Sequence, residues 1–536
     1  MVRMTGGGAL VAALVAHGVD TVFGIPGTHN LAIYAELPRH GIRHVSPRHE
    51  QGAGYAADGY ARVTGRPGVC LTTTGPAVLN AATAAAQSYS DSVPVLLISP
   101  GMPLGHPGRG NGLLHELKDQ RGALDAILAY SHRVTSVAEI PLAVAQAFVT
   151  MGEGRPRPVH LEVPLDLLES EADVDLVRPL AVAVRAPATG PVQEAAECCA
   201  QAQRPLLVVG GGARVAAEQV RALAEHLGAP VVATANGKGT LPEDHPLSIG
   251  AGLHHPSVAA LVADSDLVVA IGTELSSADL WNGPLPIKGT LVRVDIDGTA
   301  VATNARPDVA IIGDAARALD MLLEHSSSHP ARGEAETRAA EWRKAFRADA
   351  RTEGGPWTGL VDAIAQCLGR EGVLAGDSTM ACYYGALSNL ARYRPGTFLY
   401  PAGLGTLGYG LPAAIGAKVA RPQTRVMALH GDGGVMFTIA ELAAAAELRL
   451  ALPVVVVDNG GYGEIRNEMV DRHDPVHAVG LGRPDFPALA RALGCHGVAV
   501  AEDGDLVVEL ERAFTADRPT LLLVQERDVA TSQTQP

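Results

Sequence analysis

The residues best suited to chemistry in this sequence are an aspartate and an asparagine that follow two consecutive strands. Asp432 stands in a glycine turn after the apolar segment 425–429, and Asn459 follows the apolar segment 454–457. An Ala-rich helix is predicted between them, so both polar ends share the carboxyl edge of a parallel sheet. Carboxylate and amide oxygens are hard ligands that suit Mg²⁺. The pattern therefore predicts a magnesium site at this edge.

The turn around Asp432 indicates what such a metal would hold. It consists of Gly431, Asp432, Gly433 and Gly434. Glycines let an anion approach the backbone, and the start of the following helix favours negative charge. Protein-bound Mg²⁺ usually takes further ligands from phosphate oxygens. We interpret the unit as a binding site for a metal and a diphosphate, although a Gly-Asp-Gly turn alone also occurs as a plain strand-to-helix connection.

Three further stretches of the first 170 residues carry candidate side chains. Glu50 begins a predicted amphipathic helix, where an acid would also simply stabilise the helix start. Thr28 and His29 follow a glycine turn, and they either contact a ligand or cap the next helix. Pro76 and Asn80 lie in a loop that begins at Thr74. The residue types alone leave both the structural and the functional interpretation open.

Two long stretches resemble the thiamine diphosphate (ThDP) enzyme superfamily of acetolactate synthase, pyruvate oxidase and benzoylformate decarboxylase. Residues 49–62, HEQGAGYAADGYAR, match its HE.GA..AA.GYAR pattern, and residues 403–416, GLGTLGYGLPAAIG, match GxGTMGYGLPAAIG. The superfamily also carries GDG followed by an Asn pair, whose first member is Asp458 here. The resemblance spans roughly residues 5 to 528, and it implies a ThDP enzyme.

The resemblance assigns roles to single residues. It implies that Glu50 hydrogen-bonds N1′ of the aminopyrimidine ring and that Asp432, Asn459 and the backbone carbonyl of Gly461 bind Mg²⁺. Leu407 would hold the cofactor in its bent conformation, with the carbonyl of Gly405 facing N4′. The other expected cofactor contacts are Pro76, Asn80, Ser378, Thr379, Gly431, Gly433, Gly434, Tyr462, Gly463 and Ile465.

Departures from the acetolactate synthase pattern bear on the reaction. Those synthases have Phe-Gln-Glu where this chain has Leu-His-Glu at 114–116, and a tryptophan where it has Glu468. The stretches NGGYGEIR, LHELKDQ and GTELSSAD look closest to 5-guanidino-2-oxopentanoate decarboxylases. His115 is either a proton-transfer residue, as a histidine pair is in related decarboxylases, or a structural one.

A guanidinium-bearing substrate needs a carboxylate to pair with, because the planar cation can bind one through two hydrogen bonds. Glu464 and Glu468 are the candidates. The alternative is that they lie four residues apart on a solvated helix.

The predicted function is a ThDP- and Mg²⁺-dependent non-oxidative decarboxylation of a 2-oxo acid, with a guanidino or other cationic acid as the leading substrate. The alternatives are a carboligase and a non-catalytic subunit with the ThDP-enzyme fold. The resemblance implies a homodimer or homotetramer with ThDP between subunits. The central turn 272–279 departs from the flavin-binding turn of acetolactate synthases, which argues against FAD.

These side chains require three domains to position them. The 536 residues alternate short Val- and Ile-rich segments with Ala-rich helical ones, which indicates an α/β protein with doubly wound parallel sheets. We predict a pyrimidine-binding domain over 1–170, a central Rossmann-like domain over 190–326 and a diphosphate-binding domain over 355–530. A Pro-rich linker, 178–191, and a charged helical linker, 331–353, separate them.

Composition excludes several other classes of protein. The net charge is −15 without a long acidic block, so nucleic acid is not an expected partner. Six cysteines without a CxxC spacing give neither a zinc site nor a disulfide framework, and they favour the reducing cytoplasm. No segment reaches the roughly 18 consecutive apolar residues of a membrane span.

Overall fold

The computed structural model describes residues 1–108, 110–326, 332–501 and 505–526. Four parts of the predicted regions therefore lie outside the described residues. They are Arg109 in the segment before His115, Ala331 at the start of the second linker, and residues 502–504 and 527–530 of the third domain.

The described chain contains strands that are short and rich in β-branched residues. In chain order they are β1 Val2–Thr5, β2 Thr21–Gly24, β3 Arg43–Val45, β4 Gly68–Leu71, β5 Val95–Gly101, β6 Tyr130–Arg133, β7 Val159–Pro164, β8 Glu171–Val174, β9 Pro205–Val209, β10 Val231–Ala233, β11 Ser248–Ala251, β12 Leu267–Ile271, β13 Thr290–Asp295, β14 Val309–Ile312, β15 Val373–Gly376, β16 Phe398–Leu399, β17 Val426–Gly431, β18 Pro453–Asp458, β19 His496–Ala499 and β20 Thr520–Gln525.

Helices follow most of the strands. They are α1 Gly6–Ala16, α2 Leu31–Tyr34, α3 Glu50–Thr64, α4 Pro76–Ser90, α5 Gln120–Asp125, α6 Ile140–Glu153, α7 Leu165–Glu169, α8 Thr189–Gln201, α9 Ala217–Leu227, α10 Pro256–Asp264, α11 Ala315–His325, α12 Arg332–Gly354, α13 Thr358–Leu368, α14 Leu387–Asn389, α15 Gly410–Ala420, α16 Asp432–Val435, α17 Glu441–Glu447, α18 Gly463–Asp471, α19 Phe486–Ala492 and α20 Leu506–Phe514. A 3₁₀ helix, Thr28–Asn30, and a π-helix, Ala381–Ala386, carry further predicted or newly found site residues.

Three six-stranded parallel sheets form the core of the fold, which confirms the predicted α/β class. Their strand orders are β3-β2-β4-β5-β7-β6, β11-β10-β9-β12-β13-β14 and β16-β15-β17-β18-β20-β19. β1 and β8 form a separate antiparallel pair. Strands covered on both faces are continuously apolar; in β18, for example, Val454 to Val456 are fully buried.

The sheet topology explains where the polar loops lie. In the first sheet the chain reverses its winding direction between β2 and β4, and in the third sheet between β15 and β17. Ligands bind at the carboxyl ends of strands beside such a reversal. His29 follows β2, and Asp432 follows β17. Both candidate regions therefore lie where an open parallel sheet offers a crevice.

The helix predicted between the two metal-site strands is interrupted. α16 ends at Val435, and α17 begins only at Glu441, so the Ala-rich helix is shorter than the sequence pattern indicated. Turns occupy the residues between them. The apolar Ala-rich pattern begins only after this interruption.

The chain divides into two compact units. The first contains residues 1–183, 403–423 and 438–450 and holds the first sheet; the second contains 184–402, 424–437 and the described residues from 451 onward and holds the other two. Among the described residues, no helix combines the length and the apolar character needed to cross a bilayer.

Close backbone contact fixes α3 against α15 within the first unit. A Cβ placed on Gly59 would lie 2.2 Å from the carbonyl oxygen of Ala413, and one on Gly416 would lie 1.9 Å from that of Ala56. Such distances leave no space for a side chain. The glycines therefore let the two helices approach backbone to backbone.

Gly59→Ala should lower the unfolding midpoint of the protein. The added methyl group meets backbone rather than a flexible side chain, and overpacking of this kind costs about 1–3 kcal/mol. The measurement is thermal unfolding followed by circular dichroism. Gly359→Ala is the matched control, since a Cβ there, also in a helix, meets nothing within 4 Å. Equal midpoints for the two variants would contradict the close-contact argument.

Candidate active site

Three oxygen atoms converge at the carboxyl ends of β17 and β18. The side-chain oxygen of Asn459 lies 3.3 Å from Asp432 Oδ1 and 2.9 Å from the carbonyl oxygen of Gly461. Oxygens bound to adjacent corners of a Mg²⁺ octahedron are about 2.9 Å apart, because each lies about 2.0–2.1 Å from the metal. Both distances from the Asn459 oxygen are therefore compatible with neighbouring positions around a bound Mg²⁺.

The orientation of the Asn459 amide follows from its surroundings. A rotated amide would donate hydrogen bonds to Asp432 and to the Gly461 carbonyl. In the orientation that the structure has, the amide oxygen faces Asp432 and the Gly461 carbonyl, and the amide Nδ2 faces Glu526 Oε2 at 3.4 Å. This orientation leaves three hydrogen-bond acceptors facing one another, an arrangement that a cation stabilises. The residues present thus fit a bound Mg²⁺.

Negative charge accumulates around this oxygen cluster. Burial raises the pKa of Asp432, and the neighbouring carboxylate of Asp458 raises it further. Burial also raises the pKa of Glu526. A cation placed among these groups would favour their charged forms.

Asp458, the departure from the Asn pair, has a structural role in the loop. Its Oδ1 accepts a hydrogen bond from the Gly460 backbone at 3.0 Å, and its Oδ2 accepts one from Gln525 Nε2 at 3.0 Å. Arg483 Nε lies 3.4 Å from Oδ1. Asp458 therefore orders the turn that presents Asn459 and Gly461, and it explains a substitution that the sequence pattern left without a reason.

The other predicted diphosphate contacts surround this turn. Ser378 and Thr379 follow β15, and a Cβ on Gly431 would lie 2.8 Å from Thr379 Oγ1. A Cβ on Gly433 would lie 2.9 Å from the ring of Tyr462. Gly463 begins α18, and Gly434 is buried within α16. The structure thus brings together the predicted residues of the second unit, while their contact with a cofactor stays a prediction.

Glu50 occupies the first turn of α3, as the sequence predicts. His49 is the N-cap, with its Nδ1 accepting from the Gln51 backbone at 3.1 Å. Asn80 Nδ2 donates to Glu50 Oε2 at 2.9 Å. Pro76 is the first residue of α4, so it fixes the start of the helix that carries Asn80. A predicted cofactor contact therefore orients the predicted catalytic acid.

Two histidines distant in sequence meet in the first unit. The rings of His29 and His115 lie 5.2 Å apart, and His29 Nδ1 lies 2.5 Å from Thr74 Oγ1. His115 has a left-handed backbone, φ 64°, and its buried Nδ1 has no partner among the described residues. Burial lowers the pKa of His29, and His115 lowers it further. The pair includes both predicted histidines, although only His115 was expected to belong to one.

Thr28, Gly405 and Leu407 are the remaining predicted site residues of the first unit. Thr28 is exposed in the 3₁₀ helix and does not provide its N-terminal cap; Asn30 Oδ1 instead accepts from the Gly27 backbone. Leu407 is half-buried, and Gly405 is exposed with φ 66°. A left-handed backbone at Gly405 favours glycine. These residues remain available for contact with a ligand.

The two acidic substrate candidates differ in their environment. Glu464 is half-buried, and its Oε1 accepts a hydrogen bond of 2.7 Å from the Tyr384 hydroxyl. Glu468 and Ile465 are exposed, Ile465 by 45 %. Tyr384 belongs to the π-helix, a rare element that is frequent at functional sites. Sequence spacing could not reveal the pairing of Glu464 with a residue 80 positions away.

Glu441 is a site-associated residue that the sequence reasoning missed. It begins α17, is 1 % exposed, and accepts backbone hydrogen bonds of 3.0 Å from Arg48 and His49. A Cβ on Gly52 would lie 2.4 Å from its Oε1. Its carboxyl thus holds the segment just before Glu50. An acid at the start of an otherwise apolar helix was the only available signal.

Glu441→Gln should change how stability depends on pH. Burial raises the pKa of Glu441 from 4.5 to about 7, against the opposing effect of the Arg48 and His49 N–H groups. The folded protein therefore binds this proton more tightly than the unfolded chain. The stabilisation is fully present below about pH 4.5 and is lost as pH rises through about 7. Across that window the wild type should lose on the order of 3 kcal/mol relative to the variant, which does not titrate.

Unfolding midpoints measured from about pH 4.5 to about pH 8 would check this linkage. Glu447→Gln is the control, because Glu447 lies on the same helix and pairs with Arg48 but is largely exposed. Its pH profile should run parallel to that of the wild type. A Glu441→Gln profile that is also parallel would show that this carboxyl does not titrate as inferred.

Comparison with known proteins agrees with this arrangement. Three family models match: the N-terminal TPP binding domain of thiamine pyrophosphate enzymes over residues 4–123, their central domain over 192–322 and their C-terminal TPP binding domain over 376–524. The chain is 44 % identical over 524 residues to a probable 2-ketoarginine decarboxylase of Pseudomonas aeruginosa, covering 96 % of this chain and 92 % of that protein.

Acetolactate synthases are similar over the same length. That of Mycobacterium bovis is 34 % identical over 546 residues, covering 95 % of this chain and 86 % of the synthase. The large subunit from Parasynechococcus marenigrum is 33 % identical over 552 residues, covering 98 % and 88 %. With all three domain models matched and both binding motifs in place, the chain belongs to the thiamine pyrophosphate enzyme family.

Proposed function

We propose that this thiamine diphosphate enzyme catalyses the Mg²⁺-dependent, non-oxidative decarboxylation of a 2-oxo acid to an aldehyde, with a guanidino 2-oxo acid as the leading substrate. The observation that carries the substrate proposal is the half-buried carboxylate of Glu464, held by the Tyr384 hydroxyl at the start of α18. The similarity to a probable 2-ketoarginine decarboxylase supports it.

The oxygen cluster would hold the metal and the diphosphate. Asp432, Asn459 and the Gly461 carbonyl would supply three ligands, and diphosphate oxygens would supply others. The buried start of α16 would offer backbone N–H groups to the same anion. These residues would fix the cofactor without choosing the substrate.

Bound thiamine diphosphate supplies the carbon nucleophile and accepts the electron pair that remains when CO₂ leaves. Glu50 would hold a proton at its carboxyl, next to the aminopyrimidine ring, with Asn80 fixing the carboxyl through a 2.9 Å hydrogen bond. The aldehyde requires one proton on carbon. The imidazoles of His29 and His115 lie beside each other and are the proposed carriers of that proton.

Glu464 would bind the cationic end of the substrate. A guanidinium pairs with a carboxylate through two parallel hydrogen bonds, and aromatic faces stabilise it further. The Tyr384 hydroxyl fixes one oxygen of this carboxylate. Two further aromatic rings lie beside Tyr384: the centroid of the Tyr383 ring is 4.5 Å from that of Tyr384, and the centroid of the Trp281 ring is 5.7 Å from it. Burial raises the pKa of both tyrosines, so their hydroxyls stay protonated donors. This arrangement suits a cation better than an apolar chain.

Carboligation is the second candidate, because several relatives at 32–34 % identity are acetolactate synthases. The exposed Glu468 at the position of their acceptor-site tryptophan favours decarboxylation instead.

The turn at 272–279 departs from the flavin-binding turn of acetolactate synthases, and this supports a protein without FAD. We further propose a cytoplasmic homodimer or homotetramer with the cofactor between subunits; none of the six cysteines, all within the described residues, forms a disulfide, as a reducing compartment favours.

Glu50→Gln should abolish turnover without unfolding the protein. The purified enzyme with ThDP and Mg²⁺ is incubated with 2-oxo acids bearing guanidino, amino, aliphatic or aromatic ends, and CO₂, aldehyde and acyloin are measured by mass spectrometry. We expect stoichiometric aldehyde from the guanidino acid, and a loss of roughly 100-fold or more in the variant. The exposed Glu218→Gln serves as control. A coupled product from two carbonyl compounds would replace the decarboxylase proposal with the carboligase one.

Glu464→Gln should raise KM for the guanidino acid and leave an aliphatic 2-oxo acid nearly unaffected. Loss of a charge-assisted hydrogen bond costs about 1.5–3 kcal/mol, or roughly a 10- to 100-fold change in relative kcat/KM. Tyr384→Phe should give a smaller change in the same direction. Glu468→Gln, four residues along the same helix, is the matched control. Equal losses for cationic and aliphatic substrates would assign Glu464 to the cofactor site rather than to substrate selection.

A further inference from the structure

A cluster of two histidines and a glutamate lies in the second unit and has no part in the proposed reaction. His254 Nε2 lies 3.0 Å from Glu353 Oε2, and His255 Nε2 lies 3.7 Å from the same oxygen. The three ligand atoms lie within 4.8 Å of one another. Within the described parts of the chain, this is the one group of three or more His, Cys, Asp or Glu residues that comes together in this way.

The two imidazoles are buried and held in place by packing. His254 and His255 are 5 % and 2 % exposed, respectively. The Trp281 ring stacks on His254 at 3.7 Å between centroids, and Phe346 contacts His255 edge-on at 5.1 Å. Rings fixed by aromatic neighbours lose little conformational entropy on binding a metal. Both Nε2 atoms therefore point to one place before any ion binds.

The chemistry of the donors suits a divalent transition metal. Glu353 has no lysine or arginine partner in the described residues, so its charge is not balanced by a fixed cation. Two imidazoles and one carboxylate form a known type of zinc ligand set.

The distances are close to those of a tetrahedral site. Ligand atoms about 2.0–2.1 Å from Zn²⁺ lie about 3.3–3.4 Å apart, between the two observed values of 3.0 and 3.7 Å. Ser388 Oγ, 2.8 Å from His255 Nε2, borders the remaining position, which it or a water molecule could fill. Small side-chain movements would bring all three donors to one ion.

We propose that His254, His255 and Glu353 bind a Zn²⁺-type divalent ion that joins two elements of the second unit. The histidines lie between β11 and α10, and Glu353 lies in the last turn of α12. The ion would fix the end of the linker helix to the loop beside the central sheet. Its role is structural, it is separate from the Mg²⁺ at Asp432, and it does not depend on the proposed reaction.

The competing explanation is a plain hydrogen bond between His254 and Glu353. A protonated or neutral histidine can donate to Glu353 Oε2 at 3.0 Å without a metal. The two explanations differ in what Glu353→Gln does. Glutamine can still accept the hydrogen bond, but it is a much poorer zinc ligand than a carboxylate.

The test uses the full-length protein stripped of metal with a chelator and then saturated with Mg²⁺ and ThDP. Co²⁺ is titrated as the probe, because four-coordinate cobalt with nitrogen ligands absorbs visible light far more strongly than octahedral cobalt bound by oxygens alone. We expect one strongly absorbing Co²⁺ per chain, displaced by Zn²⁺, and an unfolding midpoint raised by Zn²⁺. Glu353→Gln should weaken cobalt binding by more than about tenfold.

Glu225→Gln is the matched control, since it changes a second histidine–glutamate pair, His245 and Glu225, at 3.2 Å. It should bind Co²⁺ like the wild type. His255→Asn provides a second ligand variant that keeps the carboxylate. Absence of the strong absorption in the wild type, or its persistence in both ligand variants, would overturn the proposal and leave the hydrogen-bonded pair.

Discussion

The arrangement of the first unit depends on one buried ionic network around Asp58. Asp58 Oδ1 accepts hydrogen bonds of 2.6 Å from Arg62 Nε and from the Tyr409 hydroxyl, and Oδ2 accepts one from Ser88. Arg62 also contacts Asp91 at 2.6 Å. Buried charges of this kind are stable only when all partners are present, and removing one typically costs 3–5 kcal/mol. The network therefore allows one relative placement of the segments that it joins.

Those segments carry the predicted cofactor contacts. Asp58 and Arg62 lie on α3, the helix that Glu50 begins, and Tyr409 directly follows the loop that holds Gly405 and Leu407. At the other end of α3, Glu441 binds the backbone just before Glu50. The helix is thus fixed through its charged face, its glycine contacts and its N-terminus. The predicted catalytic carboxyl of Glu50, positioned in this way, would need little reorganisation when a cofactor binds.

The sequence predicted the features that depend on local order. Buried strands have continuous Val and Ile segments, so the three parallel sheets could be anticipated, and a strand-end Asp and Asn had to share one sheet edge. The interruption between α16 and α17 was not predicted, because no glycine or proline stands between Val435 and Glu441 to indicate a break. A periodic sequence pattern predicts that an element exists more reliably than it predicts the residue at which the element begins.

Features that depend on distant contacts were missed for a common reason. His29 meets His115, and Tyr384 meets Glu464, only after separate strands have joined their sheets. Nothing in the local sequence of either partner encodes the other. Asp458 shows the same limit. In the sequence it is only a departure from a motif, whereas in the structure its hydrogen bonds with Gly460 and Gln525 order the loop. Motif positions thus predict ligand residues, but not the groups that orient them.

Charge favours a cation at the predicted metal-binding edge when a diphosphate binds there. Burial raises the pKa of Asp432 and of Glu526, and the neighbouring Asp458 raises that of Asp432 further. Arg483, near Asp458, is more than half exposed and so balances little of this charge. A diphosphate brought to this edge alone would add like charge to carboxylates in a low-dielectric site. A divalent ion between the oxygens of Asp432, Asn459 and Gly461 would instead attract the diphosphate, so the proposed metal and the anion would each favour binding of the other.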